Sequence, residues 1–337
     1  MKKYKNIKRV CALDTMYTLL QYLLISTEEE IKTTFFFWLD NIDEKVKEYF
    51  NGMSASIKPH MKFWQLLYYY YFISPIKWPF LLDKNVKRFG SDHLGFECFV
   101  CRKFPFELLE DGMLSYVSDY PYKWKSKRFR GVKSFLLGPL FGPKERVGME
   151  CTCIKIHLTG LLDAKILQDP KVEIHSMQEM WNLSSPTKRK KILDIFGLED
   201  AMIRGLKGKK WLILTQPFSE DRYISEEEKI AIYKEKIEKI GDDNSVVIKT
   251  HPREATDYTK YFPNVTLLTS KAPIQLFSLC GAQFPNICTI CSSAAFDFPY
   301  EYNLLYMGTD IHEVLYHKIA NGRKSRIGAL PTNIHLI

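Results

Sequence analysis

The chain lacks the long apolar segments that membrane-spanning and secreted proteins carry. Its 337 residues contain no run of 18 or more apolar side chains, so we expect no membrane span. The basic start at Lys2 and Lys3 leads into polar residues, and the apolar stretch that follows is interrupted, which argues against a signal peptide. We therefore expect a cytoplasmic protein.

Three nucleotide-site motifs are also missing. There is no GxxxxGK[S/T] phosphate loop, no GxGxxG fingerprint, and no Asp-x-Asp pair of the type that holds a metal on a nucleotide diphosphate. We accordingly expect neither a metal ion nor another cofactor.

The cysteines argue against a zinc site of the usual thiolate type. The closely spaced pairs are Cys98 with Cys101, Cys151 with Cys153, and Cys288 with Cys291. Thiolate zinc sites usually place such pairs in polar loops, whereas both CxxC pairs here lie in apolar, strand-like runs. We interpret these cysteines as buried free thiols.

Aromatic residues make up 14% of the chain, and two stretches are rich in them. Residues 121–146 hold eight Lys or Arg against a single acidic residue, interleaved with Tyr122, Trp124 and Phe129. This pattern favours an anionic partner surface, although a solvated basic loop explains it equally well. Residues 61–73 are too aromatic for a solvated helix and indicate a core or interface segment.

Apolar strand-like runs alternate with amphipathic helices along the chain, which predicts an α/β protein with parallel, doubly wound sheets. We predict strands at residues 9–13, 34–39, 96–101, 106–109, 211–215, 245–250, 286–291 and 304–307. The predicted helices span residues 15–25, 43–50, 225–240, 272–279 and 311–320. The length favours two domains, which we place at residues 1–205 and 206–337.

Three loops in the second half follow consecutive predicted strands. They carry Asp221, then His251 and Pro252, and then Ser292 and Ser293. In open α/β sheets ligands bind outside the carboxyl ends of the strands, and right-handed crossovers bring these ends to one side. We therefore expect the three loops to line one crevice.

The residue types in these loops suit transfer chemistry on a phosphate ester. Asp221 can accept a proton from a hydroxyl, and His251 can protonate or bond a leaving phosphate. Ser292 and Ser293, placed where a helix would start, can hold that phosphate. Pro252 suits the first turn of a following helix. Each feature alone is common in structural roles, so their shared placement carries the hypothesis.

The first half offers one matching loop, in which Glu110, Asp111 and Gly112 directly follow the predicted strand at residues 106–109. Asp-Gly is a common turn pair, so a plain turn is the simpler interpretation of this loop by itself.

Taken in order, four short blocks resemble bacterial sialyltransferases of the GT-B fold, and most nearly glycosyltransferase family 52. The blocks are Glu110-Asp111-Gly112, Pro217 to Asp221, His251-Pro252-Arg253, and Ser292-Ser293-Ala294-Ala295. The resemblance implies two Rossmann-like domains facing each other across a cleft. It also implies an inverting, metal-independent transfer of sialic acid from CMP-sialic acid to a galactose-type hydroxyl of a bacterial lipooligosaccharide or capsule glycan.

The resemblance also assigns roles to individual residues. Asp221 would be the general base, with Glu220 as its competitor, and His251 the general acid on the departing CMP phosphate. The substrate-binding residues it implies are Ser292 and Ser293 on the phosphate, Pro252 and Arg253 beside them, Asp111 and Gly112 on the opposite wall, and Gln275 where relatives carry an acid for the ribose.

Members of the family that this chain resembles are membrane-associated dimers that exchange N-terminal segments, and the resemblance implies that residues 61–80 are the counterpart of the exchanged segment. We expect a homodimer in peripheral contact with an anionic membrane, acting on a galactose-terminated glycan or glycolipid. Two other interpretations stay open: a GT-B enzyme using another donor such as a UDP-hexose, and a non-catalytic protein that binds an anionic surface. No nucleic-acid partner is expected.

Overall fold

A computed structural model of the chain describes residues 6–39, 41–55, 65, 68–91, 104–116, 148, 152–162, 164–319, 322–327 and 330–337. The chain forms two compact units, one of Met1–Gly160 with Ala164–Ile195 and one of Leu161–Asp163 with Phe196–Ile337. We predicted the domain boundary at residues 205 and 206, about ten residues further along the chain. Within the described residues, no helix has the length and apolar character needed to cross a membrane.

The first unit contains seven strands in the described residues. They are β1 (Arg9–Leu13), β2 (Thr34–Trp38), β3 (Gly52–Ser54), β4 (Lys87–Gly90), β5 (Phe106–Leu109), β6 (Cys153–Leu158) and β7 (Val172–Ile174). The α-helices that the described residues of this unit form are α1 (Met16–Ile25), α2 (Glu28–Lys32), α3 (Glu44–Lys47), α4 (Ser74–Lys77), α5 (Met177–Leu183) and α6 (Pro186–Phe196), whose last residue begins the second unit. A π-helical turn, Tyr69–Ile73, precedes α4.

The described residues of the second unit form six strands and four α-helices. The strands are β8 (Trp211–Leu214), β9 (Val246–Lys249), β10 (Thr266–Leu268), β11 (Asn286–Thr289), β12 (Tyr302–Tyr306) and β13 (Ile334–Leu336). The helices are α7 (Asp200–Arg204), α8 (Glu226–Ile240), α9 (Ile274–Leu279) and α10 (Glu313–Lys318).

Both sheets are parallel and have Rossmann-like strand order. The first runs β3-β2-β1-β4-β5-β6-β7 and the second β10-β9-β8-β11-β12-β13. In each sheet the order reverses beside the unit's first strand, between β1 and β4 and between β8 and β11. These topological switch points are where ligands of doubly wound sheets bind, and the prediction of two doubly wound units is confirmed.

Local signals explain where the helices begin and end. Thr15 caps α1 by accepting the backbone N–H of Thr18, at 3.1 Å. Ser225 and Glu228 form the predicted capping box of α8, which ends at Gly241 with a left-handed φ of 72° that glycine adopts without strain.

The core of the second unit lies between α8 and the sheet. Ile230, Tyr233 and Ile237 recur at helical spacing and are buried against strand residues such as Ile213 and Ile248. Each fully buried side chain of this kind contributes about 1.5–3 kcal/mol. This packing fixes the strands whose ends carry the candidate site.

Two predicted helices need correction, and one predicted strand is not tested. The helix predicted at residues 43–50 covers only Glu44–Lys47, with Asp43 as its N-cap. The helix predicted to close the chain at residues 311–320 spans Glu313–Lys318 and is followed by the edge strand β13. The strand predicted at residues 96–101 lies outside the described residues.

Candidate active site

The three predicted loops follow strands that are direct neighbours. β9, β8 and β11 lie side by side in the second sheet, in parallel and in register. Their carboxyl ends therefore meet at one edge, and the β8 and β11 loops flank the switch point. Sequence reasoning placed these loops together correctly.

Asp221 is held by Arg253 across two of these loops. The guanidinium donates from Nη1 to Oδ1 at 2.5 Å and from Nη2 to Oδ2 at 3.0 Å, a bidentate ion pair. The Asp221 side chain is 25% exposed, so solvent and a ligand can reach it. The next residue, Arg222, has a left-handed φ of 59°, a conformation that non-glycine residues rarely adopt.

His251 is neutral at pH 7 in the free protein. Burial is the main cause, and the positive charges of Arg253 and Lys249 add to it, so that its pKa falls to about 4. The backbone N–H of Arg253 lies 3.2 Å from Nδ1, which must therefore act as the acceptor. The proton of the neutral ring then resides on Nε2, which is available as a donor.

The prediction of a helix starting at Pro252 is wrong. Residues 251–254 form a turn in which Glu254 accepts the backbone N–H of His251, at 2.7 Å. The Glu254 carboxylate also accepts hydrogen bonds from Thr215 and, at 2.7 Å, from Tyr258. The fully buried Glu254 side chain, rather than a following helix, thus holds His251 in place after β9.

Glu220, the neighbour of Asp221, has a different environment. Its carboxylate pairs with the fully buried Lys229 at 3.0 Å and accepts the backbone N–H of Ala255 at 2.8 Å. Burial raises its pKa, but these hydrogen bonds and the ammonium outweigh that and bring it to about 2. A carboxylate with so low a pKa is a weak base, so the two adjacent acids are not equivalent.

Lys229 organises this part of the site and was not found by sequence reasoning. Besides Glu220, its ammonium contacts Glu226 at 3.2 Å, Glu254 at 3.6 Å and the Thr256 hydroxyl at 2.5 Å. In the sequence it stands in the acidic first turn of a helix, where a lysine normally points to solvent. No local pattern indicates its burial.

Ser292 and Ser293 begin a short 3₁₀ turn, Ser293–Phe296, rather than an α-helix. The backbone N–H of Ser292 donates to Thr289 Oγ1 at 3.0 Å, and that hydroxyl donates to the carbonyl of Leu214 at 3.0 Å. The serine turn is thereby tied to the end of β8. Both serines are half-buried.

Gln275 is buried, and its Nε2 donates to the carbonyl of Ala294 at 3.3 Å. The amide therefore supports the serine turn from α9. Its proposed contact with a ribose stays a prediction.

Asp111 and Gly112 belong to the first unit. Gly112 has a left-handed φ of 54°, which explains the glycine, and the backbone N–H of Asp111 donates to Ser115 at 2.9 Å. Glu110 is fully buried and accepts hydrogen bonds from Tyr17 at 2.8 Å and from Tyr116 at 2.7 Å. Glu110 thus anchors the turn that presents Asp111.

In the second unit Cys288 is buried, as predicted, whereas Cys280 and Cys291 are half-buried. Burial raises the pKa values of Cys288 and Cys291 to about 12, so both are protonated at neutral pH. Cys153 is buried in β6, whereas Cys98, Cys101 and Cys151 lie outside the described residues, as does the basic stretch 121–146. Away from the site, three potential metal ligands converge on the first sheet: His157, Glu173 and His175.

The solved structures that this chain resembles include sialyltransferases of Photobacterium species. The α/β-galactoside α-2,3-sialyltransferase of Photobacterium phosphoreum is 14% identical with a TM-score of 0.55, covering 98% of this chain and 99% of that one. The GT-B domain of a Photobacterium damselae sialyltransferase is 13% identical with a TM-score of 0.55, covering 98% and 99%. A 2,6-sialyltransferase of Photobacterium sp. JT-ISH-224, solved with CMP and lactose, is 14% identical with a TM-score of 0.55, covering 97% and 78%. These likenesses establish the GT-B fold.

The sequence itself gives the family. The model of glycosyltransferase family 52 matches residues 23–313, so the chain belongs to that family and is a glycosyltransferase. An uncharacterized protein of Haemophilus influenzae is 33% identical over 248 residues, covering 72% of this chain and 76% of that protein. The predicted family membership is confirmed.

Proposed function

We propose that the protein is an inverting sialyltransferase that moves sialic acid from CMP-sialic acid to a galactose-type hydroxyl of a bacterial surface glycan. One observation carries the proposal: a solvent-accessible carboxylate, Asp221, and a neutral imidazole, His251, lie in the loops that follow the neighbouring strands β8 and β9. The CMP and lactose bound in the Photobacterium 2,6-sialyltransferase support this donor and acceptor.

In the proposed reaction, the acceptor hydroxyl attacks the anomeric carbon of sialic acid as the bond from that carbon to the phosphate oxygen of CMP breaks. Asp221 takes the hydroxyl proton, which makes the oxygen a better nucleophile. Arg253 orients both carboxylate oxygens through its bidentate pair. Attack from the face opposite the leaving phosphate inverts the anomeric configuration.

His251 meets the departing phosphate. In the free protein its pKa near 4 keeps the ring neutral, so Nε2–H donates a hydrogen bond rather than a full proton. The negative charge of the bound nucleotide stabilises the protonated ring and raises the pKa, because an opposite charge nearby favours the charged form. Ser292 and Ser293 hold the same phosphate from the β11 side, with Pro252 shaping the turn after β9.

Asp221→Asn tests the base. The change keeps the shape of the side chain but removes its basicity, so turnover should fall by about 10²–10⁴-fold with CMP binding retained. The assay is incubation with CMP-sialic acid and labelled galactosides, read by mass spectrometry, with calorimetric titration of CMP. Asp242→Asn, in the exposed turn after α8, is the matched control.

Turnover of Asp221→Asn within threefold of the unchanged protein would rule out this base. Tight binding of UDP with no binding of CMP would favour a UDP-hexose donor. Absence of donor turnover by the unchanged protein, with anionic surfaces still bound, would favour a non-catalytic binding protein.

A peripheral, dimeric assembly is part of the same proposal. Within the described part of the 61–80 segment, Tyr68, Phe72 and Ile76 are well exposed, with Ile76 at 81%. Large exposed apolar side chains of this kind mark interaction surfaces. Analytical ultracentrifugation tests the homodimer, and co-sedimentation with anionic vesicles at low and high salt tests the membrane contact.

A further inference from the structure

A second cluster of chemistry-bearing side chains lies on one face of the first sheet. Glu107 on β5, His157 on β6 and Glu173 on β7 point to the same side, because His157 is in register with Glu173 and with Leu109, two residues after Glu107. His175 follows β7 directly and continues this row.

The donor atoms of three of these residues converge. His157 Nδ1 lies 2.9 Å from His175 Nε2, and His175 Nε2 lies 3.5 Å from Glu173 Oε2. All three lie within 4.8 Å of one another. We propose that His157, Glu173 and His175 form a binding site for one transition-metal divalent cation, with Zn²⁺ as the ion that fits best.

The spacing suits such an ion. Zinc lies about 2.0–2.1 Å from its nitrogen and oxygen ligands, so the ligand atoms of a tetrahedral site are about 3.4 Å apart. The separation of 3.5 Å between His175 Nε2 and Glu173 Oε2 already matches this spacing. The two imidazole nitrogens, at 2.9 Å, need to separate by about half an ångström, which small side-chain rotations supply.

The outer contacts of the cluster provide an independent observation. His157 Nε2 lies 2.8 Å from Glu107 Oε2, so the ring donates its other N–H to a carboxylate, as metal-ligating histidines usually do. Glu173 Oε1 is held by Lys155 at 2.7 Å, which leaves Oε2 facing His175. Both partners fix the ligand orientations in advance.

The ligand types select the class of metal. Two imidazoles with one carboxylate suit zinc and its transition-metal neighbours, whereas Mg²⁺ and Ca²⁺ prefer all-oxygen sites. Three protein ligands leave a fourth position for water or an exogenous ligand.

The metal would brace the edge of the sheet. β7 is a three-residue strand with Glu173 on it and His175 just beyond, and α5 begins at Met177. A bound ion joins β7 and the start of α5 to β6 through the buried His157. This role is independent of sialyl transfer, so the two proposals stand or fall separately.

The test is Zn²⁺ binding by the full chain after removal of metals with a chelator. We expect one equivalent by calorimetric titration and a higher urea midpoint of unfolding in the presence of Zn²⁺. His175→Ala and Glu173→Gln should each lower the affinity by more than tenfold, and Glu107→Gln by about 10–100-fold with unchanged stoichiometry. His335→Ala, an exposed histidine on the edge strand β13, is the matched control and should bind as the unchanged protein does.

Substitution with Co²⁺ distinguishes the ligands, because thiolate ligands produce a strong near-ultraviolet charge-transfer band that imidazole and carboxylate do not. Three results would each overturn the proposal: no stoichiometric Zn²⁺ binding, a thiolate band, or unchanged affinity in Glu173→Gln and His175→Ala. Glu173→Gln keeps the test decisive if His175→Ala fails to fold, since it alters one oxygen only.

Discussion

Replacing Glu220 with Gln tests the proposal that Glu220 is a structural carboxylate and that Asp221 is the general base. The change removes one negative charge beside the fully buried Lys229 while keeping an oxygen that can accept the N–H of Ala255. We expect a clear loss of stability and little loss of turnover.

The size of the stability loss follows from the pKa. A fall from the ordinary 4.5 to about 2 corresponds to about 3 kcal/mol of preference for the folded, charged form. The Glu220 side chain is 20% exposed, so solvent screens part of this, and Lys229 keeps Glu226 as a partner at 3.2 Å. Glu220→Gln should therefore lower the free energy of unfolding by about 2 kcal/mol at pH 7.

The stabilisation that Glu220 provides should depend on pH. Because the folded-state pKa is depressed, the contribution of Glu220 is present in full above pH 4.5 and is lost as the pH falls toward 2. The difference between the unchanged protein and Glu220→Gln should shrink over that window.

Urea unfolding at a series of pH values measures the stability, and the sialyl-transfer assay measures turnover. Glu227→Gln removes an equivalent charge from an exposed position in the first turn of α8 and controls for net charge. We expect turnover of Glu220→Gln within a few-fold of the unchanged protein. Unchanged stability combined with a loss of turnover by about 10²-fold or more would refute the reasoning and move the base to Glu220.

Two further predictions concern the residues around Asp221. Arg253→Gln should lower turnover by about tenfold or more, because it removes the bidentate ion pair that orients the Asp221 carboxylate. In a double-mutant cycle, Arg253→Gln should have no further effect on a protein that already carries Asp221→Asn. CMP binding near pH 6 should be accompanied by uptake of a proton on His251, because the negative phosphate raises the pKa of this histidine from about 4. Calorimetric titration of CMP in buffers of different ionisation enthalpy measures the uptake. His251→Ala should abolish it.

The elements that the sequence predicts best are those with local signals. The capping box of Ser225 and Glu228 places α8 within one residue, and the strand at residues 106–109 is observed as Phe106–Leu109. The strands β3, β4, β6, β7, β10 and β13 were not predicted. Four of them, β3, β7, β10 and β13, have only three residues, which give no measurable alternation, and the pairing of all six depends on neighbours distant in the chain.

The candidate site also contains some residues that could be predicted from the sequence and others that could not. The adjacency of the three loops follows from general rules for parallel sheets, so their residues could be chosen from the sequence. The burial of Lys229 and of Glu254 depends on how two loops fold back on α8, and no spacing in the chain encodes it. The helix predicted to begin at Pro252 was wrong for a related reason. Proline is compatible with a helix start, but the hydrogen bond from the His251 backbone N–H to the buried Glu254 carboxylate stabilises a turn instead.

The contrast between Glu220 and Asp221 is the strongest physical reason for assigning the base. Both are carboxylates in the loop after β8, at adjacent positions, and the sequence alone does not distinguish them. Glu220 is committed to a buried ammonium and to backbone and hydroxyl donors, which lowers its pKa to about 2 and leaves it little basicity. Asp221 has one charged partner, an exposed arginine, and keeps contact with solvent at the loop surface. Different environments for two neighbouring acids are the usual way in which a site separates structural from chemical roles. Glu220 ties the β8 loop to the β9 loop through the backbone N–H of Ala255 and to α8 through Lys229. We propose that this anchoring holds Asp221 in a defined position for its role as general base.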